Sequence, residues 1–425
     1  MKIAILTMFS GLTTTYSLVN VVADHLKMLI EAGHEVKMLV SEDCPDSERF
    51  GPYSDPRVEW VKITNRLDGK QIHWKDYSQP YGKVHDSFLK EAEAIAEDFA
   101  KQLKAVDVCM LHDILYQGWH LVHNVAIRMA QKELPHLRFV SFTHSLPVNH
   151  PPKLEEPFSA RYTPMPNTTY VYPTLSGLPA LAKQYGVPEG KCRAVSNTYP
   201  LLENASVPVQ KVHSALDLLS PDVLIVYPGR LTPAKKFEKV AAFAGAIKQK
   251  TERSVHIVFC DFPSADIPCE TYKNSIRMAG KQGGLDEGDL LFTSELGFQN
   301  GFPREAVLEL MSLSNLFVCP SFSESFGLTV LEAAAKGNLL VLNEAVPALE
   351  ELGKKLHAYF MRWDARNFGF DTKENYAPSE AAYYAEHAQR VVTLMREDRV
   401  LYAKTLTRQL YSPKWVFENQ LEPLL

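Results

Sequence analysis

The chain has 425 residues, of which 46% are hydrophobic and 22% are charged, and its formal net charge is −5. These values are ordinary for a soluble globular protein and leave room for two domains with large cores. Nothing in the overall charge points to nucleic acid or to an anionic membrane as a partner.

The first half of the chain alternates strand-like and helix-like segments. KIAILTMF (2–9) is predicted to be a buried strand, and apolar residues recur at helical spacing from Leu18 to Ile30 until Gly33 ends the helix. Further strands are predicted at 35–41, 58–64, 106–112 and 137–144, with helices centred on 84–104 and 117–133. This order predicts a parallel sheet covered by helices on both faces.

The same alternation restarts after a proline-containing segment at 196–222. Strands are predicted at 222–231, 255–261, 316–321 and 339–344, and helices near 236–250, 303–313 and after 328. The predicted fold class is therefore α/β, with two Rossmann-like doubly wound domains facing a cleft and ligands bound at the carboxyl ends of the strands. The predicted division is 1–205 for the N-terminal domain, 206–398 for the C-terminal domain, and 399–425 for a helix that packs back on the first domain.

The cysteines and the opening segment bear on the compartment. The six cysteines show no metal-ligand spacing, and the first apolar run is too short for a secretion signal. No segment has the roughly 18 uninterrupted apolar residues that a membrane span needs. The sequence therefore predicts a cytoplasmic protein without an integral membrane segment.

Two cations follow a predicted strand in YPGRLTPAKKF. Gly229 allows a close backbone turn, and Arg230 and Lys235 lie five residues apart at the carboxyl end of the strand. An arginine fork and a lysine point charge at such a position suit a diphosphate. The alternative is a solvated surface pair.

Two glutamates flank a helix start in SESFGLTVLEAAAKG (323–337). Glu324 is predicted to lie on a loop, and Glu332 about one turn inside a helix that begins near Leu328. The free N–H groups and the positive dipole end of this helix favour phosphate, and Glu332 suits a pair of sugar hydroxyls. Glu324 and the backbone N–H groups of Phe326, Gly327 and Leu328 could then hold a hexose. The alternative is that Glu324 caps the helix and Glu332 is a surface residue.

Together these segments resemble a known family. PSFSESFGLTVLEAAAKG (320–337) resembles the E-x7-E signature of retaining glycosyltransferases of family 4, and GRLTPAK (229–235) resembles their phosphate loop. EAGHEV (31–36), FTHS (142–145) and the tryptophan-containing C-terminus YSPKWVFENQLEPLL are also similar to family segments. The resemblance covers nearly the whole chain and implies the GT-B fold.

The resemblance implies an enzyme that moves a hexose-type sugar, with retention, from a UDP- or GDP-linked donor to an unidentified hydroxyl acceptor. Arg230 and Lys235 would bind the donor diphosphate, Glu332 the ribose and Glu324 the 3-hydroxyl region of the sugar. The predicted donor-binding residues are Gly11, Gly229, Arg230, Lys235, Glu324, Phe326, Gly327, Leu328, Thr329 and Glu332.

In the first domain, the resemblance places His144 near the reacting sugar, and Gly11 where the first loop approaches the donor phosphates. The first loop has one glycine where many relatives have two adjacent ones. No Asp-x-Asp occurs in the sequence, so neither a metal nor another cofactor is expected at the diphosphate. The predicted catalytic residues are His144, Arg230, Lys235 and Glu324.

The sequence is also compatible with other functions. A sugar-nucleotide epimerase or a phosphorylase on the same scaffold, or a non-catalytic nucleotide-sugar-binding protein, would show the same fold. The acceptor could be a small metabolite, a lipid, a glycan, a protein or a nucleobase, and residues 72–81 and 145–166 are the candidates for its binding wall. His112 is interpreted as a structural histidine, and His120 and His123 as a solvated or capped pair rather than metal ligands.

Overall fold

A computed structural model describes residues 1–74, 77–79, 82–265, 267–363 and 378–425. These residues form two compact units. Unit 1 comprises Met1–Tyr199 and Pro413–Leu425, and unit 2 comprises Pro200–Ser412. The boundaries proposed from the sequence, at 205/206 and 398/399, stay predictions.

Unit 1 is built on a parallel sheet. Its strands are β1 (Lys2–Leu6), β2 (Glu35–Ser41), β3 (Val58–Ile63), β6 (Val108–His112), β7 (Arg138–Phe142), β8 (Thr168–Tyr172) and β9 (Cys192–Ala194), with a separate antiparallel pair, β4 (Arg66–Leu67) and β5 (Lys70–Gln71). Its helices are α1 (Ser17–Glu31), α2 (Phe88–Leu103), α3 (Leu121–Glu133) and α4 (Leu178–Tyr185). The seven-stranded order is β3-β2-β1-β6-β7-β8-β9, so the order reverses between β1 and β6.

The uninterrupted apolar character of β1 follows from burial on both faces of this sheet. Ala4 and Leu6 belong to one hydrophobic cluster, whereas Ile3 and Ile5 belong to the other. Successive side chains of a strand point to opposite faces, so a strand with helices on both sides needs apolar residues at every position. The strand ends at Leu6, before Met8 with its left-handed φ of 54°.

The C-terminal segment completes unit 1. Helix α13 (Pro413–Val416) and the turn after it place Val416, Phe417 and Leu421 in the same hydrophobic cluster as Ile3. The Ser196 backbone N–H donates to Gln420 Oε1 at 2.6 Å. The tryptophan-containing end of the chain therefore packs on the N-terminal sheet.

Unit 2 contains a second parallel sheet. Its strands are β10 (Val223–Arg230), β11 (Val255–Phe262), β12 (Leu290–Phe292), β13 (Leu316–Cys319), β14 (Leu339–Asn343) and β15 (Tyr359–Met361). Its helices are α5 (Val207–Ala215), α6 (Phe237–Thr251), α7 (Cys269–Gly283), α8 (Arg304–Leu313), α9 (Leu328–Ala335), α10 (Pro347–Lys355), α11 (Pro378–Glu397) and α12 (Arg399–Leu410). The order β12-β11-β10-β13-β14-β15 reverses between β10 and β13.

Both units are doubly wound α/β structures, so the predicted fold class is confirmed. In such sheets the crevice at the carboxyl ends of the two strands where the order reverses is the usual place for a ligand. In the described part of the chain, no helix is both long and apolar enough to span a membrane.

Candidate functional site

The loop after β10 carries the two cations predicted to bind a diphosphate. β10 ends with Gly229 and Arg230, and the Leu231 N–H then donates to the Phe262 carbonyl at 2.8 Å, which keeps the chain beside β11. Arg230 is exposed, and it forms no hydrogen bond or ion pair with the described residues. Its guanidinium is therefore available to a ligand at the reversal point of the sheet.

The loop after β13 carries the two glutamates. Gly327 has φ 95° and precedes α9; a Cβ there would lie 3.2 Å from Val330 Cγ2, so both the backbone and the space favour glycine. Glu324 lies on the loop and Glu332 about one turn inside α9, as predicted. Among the residues that the structure describes, no side chain caps this helix, so the alternative in which Glu324 is a helix cap is wrong.

The start of α9 presents the other predicted donor-binding residues. The side chains of Phe326 and Leu328 are exposed, and Thr329 lies in the first turn. The two apolar side chains lie on the surface beside the N–H groups of the first turn, which have no partner within the helix. This end of α9 is therefore open to a ligand.

The two loops contact each other because β10 and β13 are neighbours in the sheet. The Phe322 N–H donates to the Ala234 carbonyl at 3.2 Å, and the Tyr227 hydroxyl donates to the Lys235 carbonyl at 2.8 Å. The Lys235 ammonium donates to the Glu324 carboxylate, whose side chain is only 14% exposed. Motifs separated by almost 90 residues in the sequence thus form one polar cluster.

The Lys235–Glu324 ion pair has a consequence for binding. A diphosphate must compete with Glu324 for the Lys235 ammonium, so we expect Glu324→Gln to raise the affinity for a free nucleoside diphosphate by about 2- to 5-fold, the size of a partly exposed ion pair. Turnover should fall in the same variant, because the carboxylate proposed to hold the sugar is lost. Calorimetric titration checks the affinity, with Glu386→Gln, which removes a carboxylate from an exposed pair on α11, as the matched control. Weaker diphosphate binding would contradict the competition.

Glu332 has a partner that the sequence did not reveal. Arg304, the first residue of α8, donates to Glu332 Oε1 from Nη2 at 2.7 Å and from Nε at 3.1 Å. Glu332 Oε2 makes no hydrogen bond with the described residues and is free to accept from a ligand. Glu332 is therefore not an isolated surface residue, since its side chain is 20% exposed and one of its oxygens is fixed.

The first loop of unit 1 contains a carboxylate at the predicted phosphate position. Glu48 Oε2 accepts from the Leu12 N–H at 2.7 Å and would lie 3.0 Å from a Cβ on Gly11. A phosphate approaching Gly11 would meet this negative charge. The role predicted for Gly11 stays a prediction, and Glu48 has to move for it to hold.

His144 is fixed between two strands of unit 1. It follows β7, its backbone N–H donates to Asp113 Oδ1 at 2.8 Å, and its Nε2 lies 2.9 Å from His112 Nδ1. Burial lowers the pKa of His144 to about 4 and raises the pKa of Asp113 to about 6. His144 is therefore a neutral imidazole at pH 7, able to donate or accept a hydrogen bond.

Of the two alternatives for the histidine pair on α3 and the turn before it, the structure shows hydrogen-bonded rings. His123 is buried rather than solvated, and its Nε2 lies 3.1 Å from Asn65 Oδ1, while its Nδ1 faces His120 Nδ1 at 3.1 Å. Among the described residues, no group of three or more His, Cys, Asp or Glu side chains could hold a metal ion.

Only part of the predicted acceptor wall can be placed. Residues 75, 76, 80 and 81 lie outside the described part of the chain. In the other segment, the Leu146 carbonyl accepts from the Tyr116 hydroxyl at 3.3 Å, and the Leu146 side chain is exposed. This segment lies beside His144, and its assignment to an acceptor stays a prediction.

Comparison with known proteins identifies a family for the second unit. Residues 210–360 match the model of the glycosyl transferases group 1, and this segment contains both loops of the polar cluster in unit 2. Over residues 210–360 the match confirms the family predicted from the motifs, and with it the class of enzyme, a glycosyltransferase. No curated protein is similar enough to this chain to count as a match.

Several solved structures are similar to the chain at low identity. A glycosyltransferase from Rickettsia africae is 15% identical, with 100% of this chain and 98% of that chain covered and a TM-score of 0.36. The Anabaena HepE protein in complex with UDP is 14% identical, with coverages of 100% and 99% and a TM-score of 0.35. A UDP-forming trehalose-phosphate synthase from Burkholderia xenovorans is 15% identical, with both chains fully covered and a TM-score of 0.37. Similarity at these values carries no further conclusion about this chain.

Proposed function

Since residues 210–360 belong to the glycosyl transferases group 1, we propose that the protein transfers a hexose-type sugar, with retention, from a UDP- or GDP-linked donor to a hydroxyl acceptor. One observation carries the donor side of this proposal. The Lys235–Glu324 ion pair joins the cation-bearing loop to the E-x7-E loop at the point where the strand order of unit 2 reverses.

The proposed roles follow from the charges of this cluster. Negative charge builds on the diphosphate as the bond from the anomeric carbon to the phosphate oxygen breaks, and Arg230 and Lys235 supply fixed positive charge to stabilise it. Glu332, with Oε2 free, accepts from the ribose hydroxyls, and Glu324 accepts from a hydroxyl of the sugar. The N–H groups at the start of α9 add partial positive charge.

The remaining steps need no protein nucleophile. In the front-face route that the family resemblance implies, the leaving phosphate oxygen takes the proton of the acceptor hydroxyl, and that hydroxyl attacks on the side the phosphate leaves. A neutral His144 contributes a hydrogen bond to the transferred sugar rather than a charge.

We propose the cytoplasm as the compartment. The six free thiols support this, since reduced cysteines are usual there.

Metal independence is a prediction of this charge arrangement. Because Arg230 and Lys235 supply cations from the chain itself, transfer is expected to continue unchanged after dialysis against EDTA. An assay of nucleoside diphosphate release before and after dialysis measures this. Loss of activity that returns on adding Mn²⁺ would show that the two side chains do not provide the neutralising charge alone.

A thermal-shift screen tests the proposed function as a whole. UDP-glucose, UDP-N-acetylglucosamine and GDP-mannose are compared with the free diphosphates and with ATP. A donor at about 100 times its dissociation constant stabilises the folded protein by roughly 2.7 kcal/mol, enough for a clear shift in Tm. Absence of a shift with every nucleotide sugar would contradict the proposal, and the best ligand would identify the base and the sugar.

A further inference from the structure

His112 and His144 form a direct contact that the proposed mechanism does not use. His112 is the last residue of β6, and its ring is nearly parallel to that of His144, with an interplanar angle of 11° and centroids 5.2 Å apart. His112 Nδ1 and His144 Nε2 are 2.9 Å apart, which is a hydrogen-bond distance. Only one of these two nitrogens can carry the shared proton.

The surroundings of His112 decide where that proton lies. Both rings are neutral at pH 7, because burial lowers the pKa of His144 to about 4 and that of His112 well below its usual range. His112 Nε2 is buried and has no hydrogen-bond partner among the described residues. A buried N–H without an acceptor is rarer and more costly than a buried acceptor left unfilled. The proton of His112 therefore belongs on Nδ1.

Within the described part of the chain, no other polar group forms a hydrogen bond with either ring. Asp113 Oδ1 accepts from the backbone N–H of His144 and not from its ring. The Phe142 ring stacks on His112 with centroids 4.6 Å apart, and the His25 ring lies tilted by 49° with its centroid 5.2 Å away. His144 Nδ1 makes no hydrogen bond with the described residues. The hydrogen bond between the two imidazoles is thus the polar contact that sets their tautomers.

We propose that His112 donates from Nδ1 to His144 Nε2 and thereby holds His144 in the tautomer that carries its proton on Nδ1. His144 then meets the sugar as a hydrogen-bond donor, and its ligand is a lone-pair oxygen such as a hydroxyl or ring oxygen. His112 is a positioning residue that acts through His144. The contact of His144 with sugar rests on the proposed function, whereas the tautomer itself does not.

Long-range ¹H–¹⁵N spectroscopy of the full chain, labelled at its histidines, tests the tautomer directly. In the unliganded protein at pH 7, Nδ1 of His144 is expected to be the protonated nitrogen and Nε2 the bare one, with the same pattern in His112. His144→Gln and His112→Gln assign the signals. A proton on Nε2 of His144 would overturn the inference whatever the activity of the protein.

Two substitutions of His112 test whether the tautomer of His144 affects the rate of sugar transfer. His112→Asn keeps an N–H donor near the position of Nδ1, so His144 should stay protonated on Nδ1 and turnover should be largely retained. His112→Phe keeps a stacked ring but removes the donor, so the Nε2-protonated form should appear and kcat should fall about tenfold, with the donor KM little changed. Circular dichroism and Tm confirm that each variant folds.

The outcomes separate the two hypotheses. If His112→Phe changes the tautomer of His144 and lowers kcat, the result supports both the tautomer assignment and the role proposed for His144 in transfer. A switched tautomer with normal turnover supports the tautomer assignment and overturns the role proposed for His144 in transfer. An unchanged tautomer in folded His112→Phe would show that His112 does not set it and would overturn the inference.

Discussion

Replacing Arg230 by alanine is expected to lower kcat by about 10²–10³, the usual effect of removing one preorganised group that stabilises charge in a transition state. Arg230 stands at the end of β10 and forms no hydrogen bond or ion pair within the described residues, so its charge is available to the departing diphosphate. Folding should hardly change, because an exposed side chain is removed and no hydrogen bond or ion pair with the described residues is lost. Steady-state kinetics and the Tm of the variant measure both effects.

A control and an intermediate variant sharpen this test. Arg390→Ala removes an exposed arginine paired with Glu386 on α11 and should leave kcat unchanged. Arg230→Lys keeps the charge but loses the planar fork, so its kcat should lie between those of wild type and Arg230→Ala. Near-normal turnover in Arg230→Ala would rule out the diphosphate assignment.

Glu332→Ala is expected to weaken binding of nucleoside diphosphate and of the intact donor alike, by about 10- to 150-fold, because a charge-assisted hydrogen bond contributes roughly 1.5–3 kcal/mol. The lost partner is Arg304, whose side chain is 71% exposed, so the cost in stability should be small. Calorimetric titration measures the affinity for both ligands, and the titrations are repeated with the 2′-deoxy forms of these ligands.

The 2′-deoxy diphosphate distinguishes a direct contact between Glu332 and the ribose from a general effect of losing the Glu332 charge. If Glu332 accepts from the ribose, the wild type should discriminate against the 2′-deoxy diphosphate and Glu332→Ala should not. Arg304→Ala leaves the Glu332 carboxylate in place but removes the side chain that holds it. This variant should lose less affinity than Glu332→Ala and should still prefer the ribose ligand over the 2′-deoxy ligand. Equal discrimination in wild type and Glu332→Ala would contradict the ribose assignment.

The sequence predicted the strands and helices that are buried or strongly periodic. β2 was predicted with its observed bounds, and α9 at its observed start, since Gly327 interrupts a good helix-forming run. β8 and β9 were missed: β8 carries Thr168, Thr169 and Tyr172 among its five residues, and β9 has only three residues. Short strands with mixed polarity do not show the continuous apolar run of a buried parallel strand.

The site was predicted from motifs, and its internal contacts were not. Glu324 and Lys235 could each be named from local spacing, but their ion pair depends on β10 and β13 lying side by side, which no local pattern specifies. The pairing of Arg304 with Glu332 likewise joins two helix starts that are 28 residues apart. Glu48, beside Gly11, comes from a turn with no motif at all. Contacts set by tertiary structure are invisible to periodicity and propensity.

The grouping of Pro413–Leu425 with the first 199 residues has a consequence for synthesis on the ribosome. Unit 2 is one uninterrupted stretch, so it can fold as soon as it has emerged. Unit 1 also needs residues 413–425, because Val416, Phe417 and Leu421 belong to a hydrophobic cluster of this unit that stays incomplete until they have been synthesised. At roughly 5–20 residues per second, that interval lasts on the order of tens of seconds. During this time the nascent chain exposes apolar surface, and a truncation before Val416 would make that exposure permanent.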